Sequence, residues 1–326
     1  MKIGIFTDYT VLKTGIWSTF RGLTACAKVD FKLYATDLIV TELAKKNIEA
    51  FKYTGEHLDA VFTHLDYTCL NQLYSISPSA LFHVGDWTPA FYKSKMRTRP
   101  FSAIIKLYLL RKRLKKLNRK IRLAFVNLEE TAQAKKYGFF NSFHLPIGIS
   151  AEQFPMRKQF DFNTLCFTGA FSYKPNQIAA TSLYRLNSDY KLNKKVIIAG
   201  YDAHKINLPG VEIFSNLDNI SKFLCDRRPV YVSKLPFGSG AKNKIIQALH
   251  CACPVICNDN SIDGTVSAYT CGYNSDNSII NRILEICQPE NRDSINNQAL
   301  KTRHLIIQSN SWDAISKRFL GLLKIF

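Results

Sequence analysis

Pro229-Val230-Tyr231-Val232-Ser233-Lys234-Leu235-Pro236-Phe237-Gly238-Ser239-Gly240-Ala241-Lys242-Asn243-Lys244-Ile245-Ile246-Gln247-Ala248-Leu249-His250 is the stretch whose reading decides the fold. It opens on a short apolar, β-branched run, the signature of a buried strand. A glycine-rich loop follows, and from Ile245 the apolar residues recur at helical spacing. Two glycines let the backbone turn tightly and approach a ligand closely. The free amides of the helix start point outward, and Lys242 and Lys244 add positive charge. Gly238, Ser239, Gly240, Ala241, Lys242 and Lys244 therefore read as a site for an anion, most simply a phosphate or diphosphate. The Gly-Lys-Ser/Thr ending of a Walker loop is missing. The plain alternative is a helix N-terminus with solvated lysines.

The same rhythm runs outward from this unit in both directions. Upstream, residues 1–6, 31–35, 60–63, 80–84 and 123–127 read as strands, with helices over 14–29 and from 129 to Gly138. The pattern breaks near 145–150 and restarts with strands at 165–168, 196–199, 211–214, 230–233 and 255–257, separated by helical stretches. This predicts an α/β chain of two doubly wound Rossmann-like domains facing each other across a cleft, residues 1–152 and 153–310, with a closing helix over 311–326 that packs back on the first. The 326 residues, 46% hydrophobic, suffice for two cores, and 15 Gly with 11 Pro exclude collagen-like or low-complexity chain.

Nine cysteines, an odd number, and an opening that reads as a strand rather than a signal peptide suggest free thiols in a reducing cytoplasm. Cys251-Ala252-Cys253-Pro254-Val255-Ile256-Cys257 fits no common zinc spacing and reads as small buried hydrophobes, so no metal is expected. No stretch is long and apolar enough for a transmembrane helix.

The net charge is +19, and it is unevenly spread: residues 93–122 hold 13 Lys and Arg and no acid. Phe101, Ile104, Ile105, Tyr108, Leu114, Leu117 and Ile121 recur there at helical spacing, with the basic residues opposite. This predicts a basic amphipathic helix for an anionic membrane surface, carried by Arg111, Lys112, Arg113, Lys115 and Lys116, and a location on the cytoplasmic face of the plasma membrane. A core helix with a solvated charged face is the bland alternative. Nucleic acid is not an expected partner, because no helix-turn-helix, zinc finger or RNA-binding aromatic motif accompanies the charge.

In this register the second half resembles the glycosyltransferase family 4-like enzymes of the GT-B fold. The likeness rests on Gly238-Ser239-Gly240 with its lysines, on Ala248 to Pro254-Val255-Ile256, and on Phe167-Thr168-Gly169-Ala170. Leu145-Pro146-Ile147-Gly148-Ile149 with Phe154-Pro155, and Ser311-Trp312, complete it. The resemblance implies a nucleotide-sugar donor on the second domain and an acceptor on the first. The implied reaction is metal-independent, retaining transfer to a lipid-linked or growing glycan, as in polysaccharide or lipopolysaccharide assembly. It needs no cofactor beyond the nucleotide-sugar co-substrate. The donor diphosphate would lie on the Gly238 to Lys244 loop, and the ribose or base near Gln247, Gly169 and Ala170. His83 and Asp86, ending the strand at 80–84, would be catalytic, and Gly15 and His64 would face the acceptor. The chain departs from the family where the usual glutamate pair falls on Ser239 and Gln247, and where Cys253 replaces the glycine before Pro254. These departures motivate a second reading, a non-catalytic GT-B partner that binds a nucleotide-sugar or glycan in an assembly complex.

Overall fold

The computed structural model describes residues 2–7, 22–23, 25, 30–35, 40–41, 44, 48–64, 80–85, 88–96, 100–150, 154–237, 242–263, 266–267, 270 and 272–324. They form two compact units. One runs up to Ser150 and takes back the end of the chain from Asn310, and the other lies between them.

The first unit holds β1 (Lys2–Thr7), β2 (Asp30–Ala35), β3 (Ala60–His64), β4 (Leu81–Val84), β5 (Arg122–Phe125) and β6 (Ser142–His144). They pair in parallel in the order β2-β1-β3-β4-β5-β6. Between β4 and β5 run α1 (Thr88–Lys95) and α2 (Pro100–Lys115), and α3 (Leu128–Lys136) joins β5 to β6. The Asn127 side chain caps α3 by accepting from the amides of Glu129 and Glu130. Gly138, at φ +88°, supplies the left-handed turn that ends this segment.

A parallel sheet must be covered on both faces, because every strand residue is buried on one side or the other. Val61, Phe82, Val84, Leu123 and Phe125 pack on one face under Leu110 and Leu114 of α2 and Ala134 of α3. Ile3, Ile5, Phe62, Leu81 and Ala124 pack on the other under Ile315, Phe319 and Leu323 of α9 (Trp312–Lys324). The Trp312 ring fixes this last helix: a Cβ added to Gly22 or Gly148 would approach the ring to 2.1 or 2.3 Å. Ile149 N–H donates to Asn310 O at 2.7 Å, and Trp312 N–H donates back to Ile149 O at 3.2 Å.

The second unit holds β7 (Asp161–Thr168), β8 (Lys195–Gly200), β9 (Glu212–Ser215), β10 (Pro229–Ser233) and β11 (Val255–Cys257), parallel in the order β11-β10-β7-β8-β9. Its helices are α4 (Lys174–Asp189), α5 (Ile220–Arg227), α6 (Asn243–His250), α7 (Asp276–Cys287) and α8 (Arg292–Asn310). Cys251, Cys253 and Cys257 are buried in the segment that turns from α6 into β11.

Two expectations for the basic segment are corrected. The helix ends at Lys115, so Leu117 and Ile121 do not share its face, and Arg122 lies on β5, buried, donating to Leu322 O. The apolar residues of α2 also divide between two faces. Ala103, Leu107, Leu110 and Leu114 are buried, whereas Phe101, Ile104, Ile105, Tyr108 and Leu109 are exposed.

Arg228 is fully buried at the C-terminal end of α5, at φ +45°. Its Nε and Nη2 donate to Ala252 O at 3.2 and 2.9 Å, and Nη2 also to Asn296 Oδ1 at 2.8 Å. Its Nη1 donates to Arg157 O and Lys158 O at 2.9 and 2.7 Å. Replacing it by Met leaves these acceptors without their donor. Arg228→Met is expected to lower the unfolding free energy of the second unit by about 3 kcal/mol or more. Urea denaturation checks this, and an unchanged midpoint would remove the guanidinium from the account of the fold.

Candidate active site

In an open parallel sheet, ligands bind beyond the carboxyl ends of the strands, where the strand order reverses. In the second sheet that point lies between β7 and β10. Their ends are tied side by side: Thr168 Oγ1 and Tyr231 Oη lie 2.9 Å apart, both buried.

Beyond β10 the chain is latched before it reaches the glycine loop. Ser261 Oγ donates to Ser233 O at 3.0 Å and accepts from the amide of Leu235 at 3.2 Å. Asn258 Nδ2 and Asn260 Nδ2 donate to Leu235 O and Pro236 O at 2.8 and 3.0 Å. Gly238, Ser239, Gly240 and Ala241 lie outside the described residues. On the far side, Lys242 N–H donates to Oδ2 of the fully buried Asp263 at 2.8 Å, and α6 begins at Asn243. Both ends of the loop are thus held on the β11 side of the sheet.

Beyond β7 the chain carries Gly169 and Ala170, and two glycines allow a close backbone approach there. Gly200 has φ +137°, and a Cβ on it would come within 2.1 Å of Gly169 O. A Cβ on Gly169 would press on the Asn176 amide at 2.8 Å. Asn176 sits in the first turn of α4, 5% exposed. Its Nδ2 donates to Ala170 O at 2.8 Å, and its Oδ1 accepts from Lys244 Nζ. One buried amide therefore joins the β7 loop to the start of α6.

Lys244 is partly buried, its ammonium 4.9 Å from the centre of the Phe167 ring. Among the described residues no carboxylate pairs with it; its polar partner is the neutral Asn176. Burial, then the neighbouring Lys242 charge, pulls its pKa down to about 7. A cation held without a counter-charge where ligands bind is a site for an anion. Gln247, partly buried, stands one turn further along α6. No group of three His, Cys, Asp or Glu suited to a metal ion occurs among the described residues.

No protein-family model and no curated protein sequence matches the chain. Solved structures do match it over its whole length. HepE of Anabaena, in complex with UDP-glucose, is 11% identical with a TM-score of 0.68, covering 100% of both chains. A glycosyltransferase from Rickettsia africae is 13% identical at a TM-score of 0.67, over 99% of this chain and 97% of that one. The lipopolysaccharide outer core galactosyltransferase WaaB, in its apo form, is 8% identical at 0.64, over 99% of each. The chain has the GT-B fold.

The first-unit residues singled out in the sequence fall as follows. His64 ends β3 and is in register with His83 on β4, and the first sheet reverses its strand order between β1 and β3. His83 is 1% exposed, its ring edge-on to Phe62 with centroids 5.9 Å apart, on the face that α9 covers. Asp86 and Gly15 lie outside the described residues. Arg111, Lys112, Lys115 and Lys116 are exposed at the C-terminal end of α2, and the Arg113 side chain is outside the described set.

Asn176 and Asp263 escaped sequence reasoning. The signal for Asn176 was a polar residue directly after the Pro of a helix start. For Asp263 it was an acid in a turn rich in Ser, Asn and Gly.

The lowered Lys244 pKa has a consequence for stability. Below about pH 7 the lysine is charged in the folded and unfolded states, and the fold bears the full desolvation penalty. Between about 7 and the ordinary 10.5 that penalty fades as the folded state sheds the proton. Lys244→Met is therefore expected to melt above the parent protein at pH 6, with the difference shrinking towards pH 10. Melting curves across that range check it; a difference independent of pH would mean the ammonium is well solvated.

Proposed function

We propose that this chain is a glycosyltransferase that takes a sugar from a nucleoside-diphosphate donor held on the second unit. The observation that carries the reading is the desolvated Lys244 at the start of α6, paired with no carboxylate among the described residues and bridged by Asn176 to the β7 loop at the strand-order reversal of a GT-B sheet. The UDP-glucose complex of HepE, a protein of the same fold, supports a nucleotide-sugar as the donor class. The galactosyltransferase WaaB supports a lipid-linked or growing glycan as the acceptor class.

In this reading the donor diphosphate is the counter-ion of Lys244, with the Lys242 charge beside it. As the bond from the sugar's anomeric carbon to the phosphate oxygen breaks, negative charge gathers on the leaving phosphate. The Lys244 ammonium, with the Lys242 charge beside it, stabilises that charge more in the transition state than in the ground state, which is what lowers the barrier. Cations of the chain serve the role a divalent metal would otherwise fill, so the transfer is metal-independent. Gln247 and the Gly169–Ala170 backbone offer donors and acceptors to the ribose or base. The acceptor hydroxyl forms the new bond to the anomeric carbon as the old one breaks and gives its proton to a carboxylate, the role the sequence offers to Asp86. The reading includes retention at the anomeric carbon.

Two measurements test it. A thermal-shift screen against UDP, GDP, dTDP, ADP and CMP and their sugars is expected to find one nucleotide that stabilises the protein. The gain is roughly 2.7 kcal/mol at a hundred times its dissociation constant, and it is absent in Lys242→Ala/Lys244→Ala. Equal shifts in both proteins would move the donor elsewhere. No shift in either would leave the non-catalytic glycan-binding partner, and so would tight donor binding without transfer or hydrolysis.

The dissociation constant is also expected to rise above about pH 7, by at most about tenfold per unit, because binding must then take up a proton at Lys244. Lys244→Arg, which keeps its charge, is expected to flatten the profile. A parent profile already flat from pH 6 to 9 would take Lys244 out of donor binding.

A further inference from the structure

The outward face of α2 is exposed, and it is a feature the donor site does not use. At 100° per residue, Phe101, Ile104, Ile105, Tyr108 and Leu109 fall within an arc of about 140°. Ala103, Leu107, Leu110 and Leu114 fall on the opposite side, and Leu110 and Leu114 pack into the core with Phe82, Val84, Leu123 and Phe125. Phe101 is 85% exposed, Ile105 61%, Tyr108 57%, Leu109 54% and Ile104 49%. Among the described residues, no other helix bares more than one large apolar side chain. One side of α2 is thus clamped, and the other presents two and a half turns of apolar surface on a rigid base.

Charge defines what covers this face. Arg111, Lys112, Lys115 and Lys116 are exposed at the C-terminal end of the helix, and Lys106 is exposed within it. No acid occurs from 93 to 122. We propose that the outward face of α2 inserts into an anionic lipid bilayer. The helix then enters at a tilt, its five apolar side chains below the headgroups, while Arg111, Lys112, Lys115 and Lys116, on the same side one to two turns further on, reach the lipid phosphates. A second copy of the chain would bring like charges together. A nucleic acid would leave five large aliphatic and aromatic side chains against phosphate and water. An anionic bilayer satisfies both the charge and the apolar surface at once. The inserting residues are not the stripe read from the sequence, since Leu114 of that stripe faces the core and Leu117 and Ile121 lie beyond the helix.

The test uses the full chain and vesicles of phosphatidylcholine, with and without about one-third phosphatidylglycerol. The protein is expected to co-sediment with the anionic vesicles and weakly with neutral ones. Phe101→Ser/Ile105→Ser/Tyr108→Ser is expected to lower that partitioning on the order of tenfold or more. The changed side chains are exposed, so the melting temperature is expected to hold. Arg111→Gln/Lys112→Gln/Lys115→Gln/Lys116→Gln is expected to weaken binding and to remove most of its salt dependence. Ile105→Trp is expected to shift its emission to the blue on anionic vesicles and to be quenched by lipids brominated on the acyl chain.

Binding by charge alone, with the triple variant unimpaired and the tryptophan unshifted, would overturn insertion. So would a dimer that the triple variant dissolves in a protein that ignores vesicles, or binding to RNA or DNA in place of vesicles. None of these outcomes touches the donor reading, which thermal shift with nucleotides decides by itself.

Discussion

A buried guanidinium with every proton engaged holds the second unit together. Arg228 has five N–H groups, and five hydrogen bonds leave them, to Ala252 O twice, Arg157 O, Lys158 O and Asn296 Oδ1. No carboxylate is among these acceptors. The charge is met by main-chain carbonyl dipoles and by its place at the C-terminal end of α5, where the helix dipole favours a cation. An ammonium in its place would have three donors and could not fork to three separate segments. Through this one group the chain that enters the unit at 157–158, the turn that ends α6 and the long α8 are set against each other. Ala252, at φ +51°, is where α6 gives way to β11, so the position of α6 follows from the same contact.

The site inherits that order. The far end of α6 is pinned by its tie to Arg228, and by Arg303 Nε donating to His250 O at 2.8 Å. Its near end is pinned by Asp263 and Asn176. A helix tied at both ends keeps Lys244 beside Phe167 and Asn176.

Much of this was legible in the sequence, for a definite reason. Strands buried on both faces read as unbroken apolar runs, so Val230 to Ser233 and Leu165 to Thr168 announce themselves without knowledge of their neighbours. The start of α6 after a glycine-rich loop was legible because glycine at a helix entry acts locally. What stayed hidden depends on partners distant in sequence. Asn176 matters because Lys244 reaches it from 68 residues away, and Asp263 because it meets an amide 21 residues back. In α2 the periodicity itself misled. Two apolar faces on opposite sides of one helix cancel in any search for a single stripe, and the sequence pattern cannot say which of them finds a core. Arg122 is a related case: basic residues continue from the helix to the strand, and the hydrogen bond from its guanidinium to Leu322 O, 200 residues away, marks the change.

The departures from the family pattern acquire a physical meaning from Lys244. A glutamate at 247 would stand three residues along the helix from it, within reach of an ion pair. That pair would give the ammonium a counter-charge and favour its charged form. With Gln247 the neighbour is an uncharged amide, and burial holds the Lys244 pKa down to about 7. An anion that binds beside such a lysine draws a proton onto it, whereas a carboxylate at 247 would already hold that proton in place.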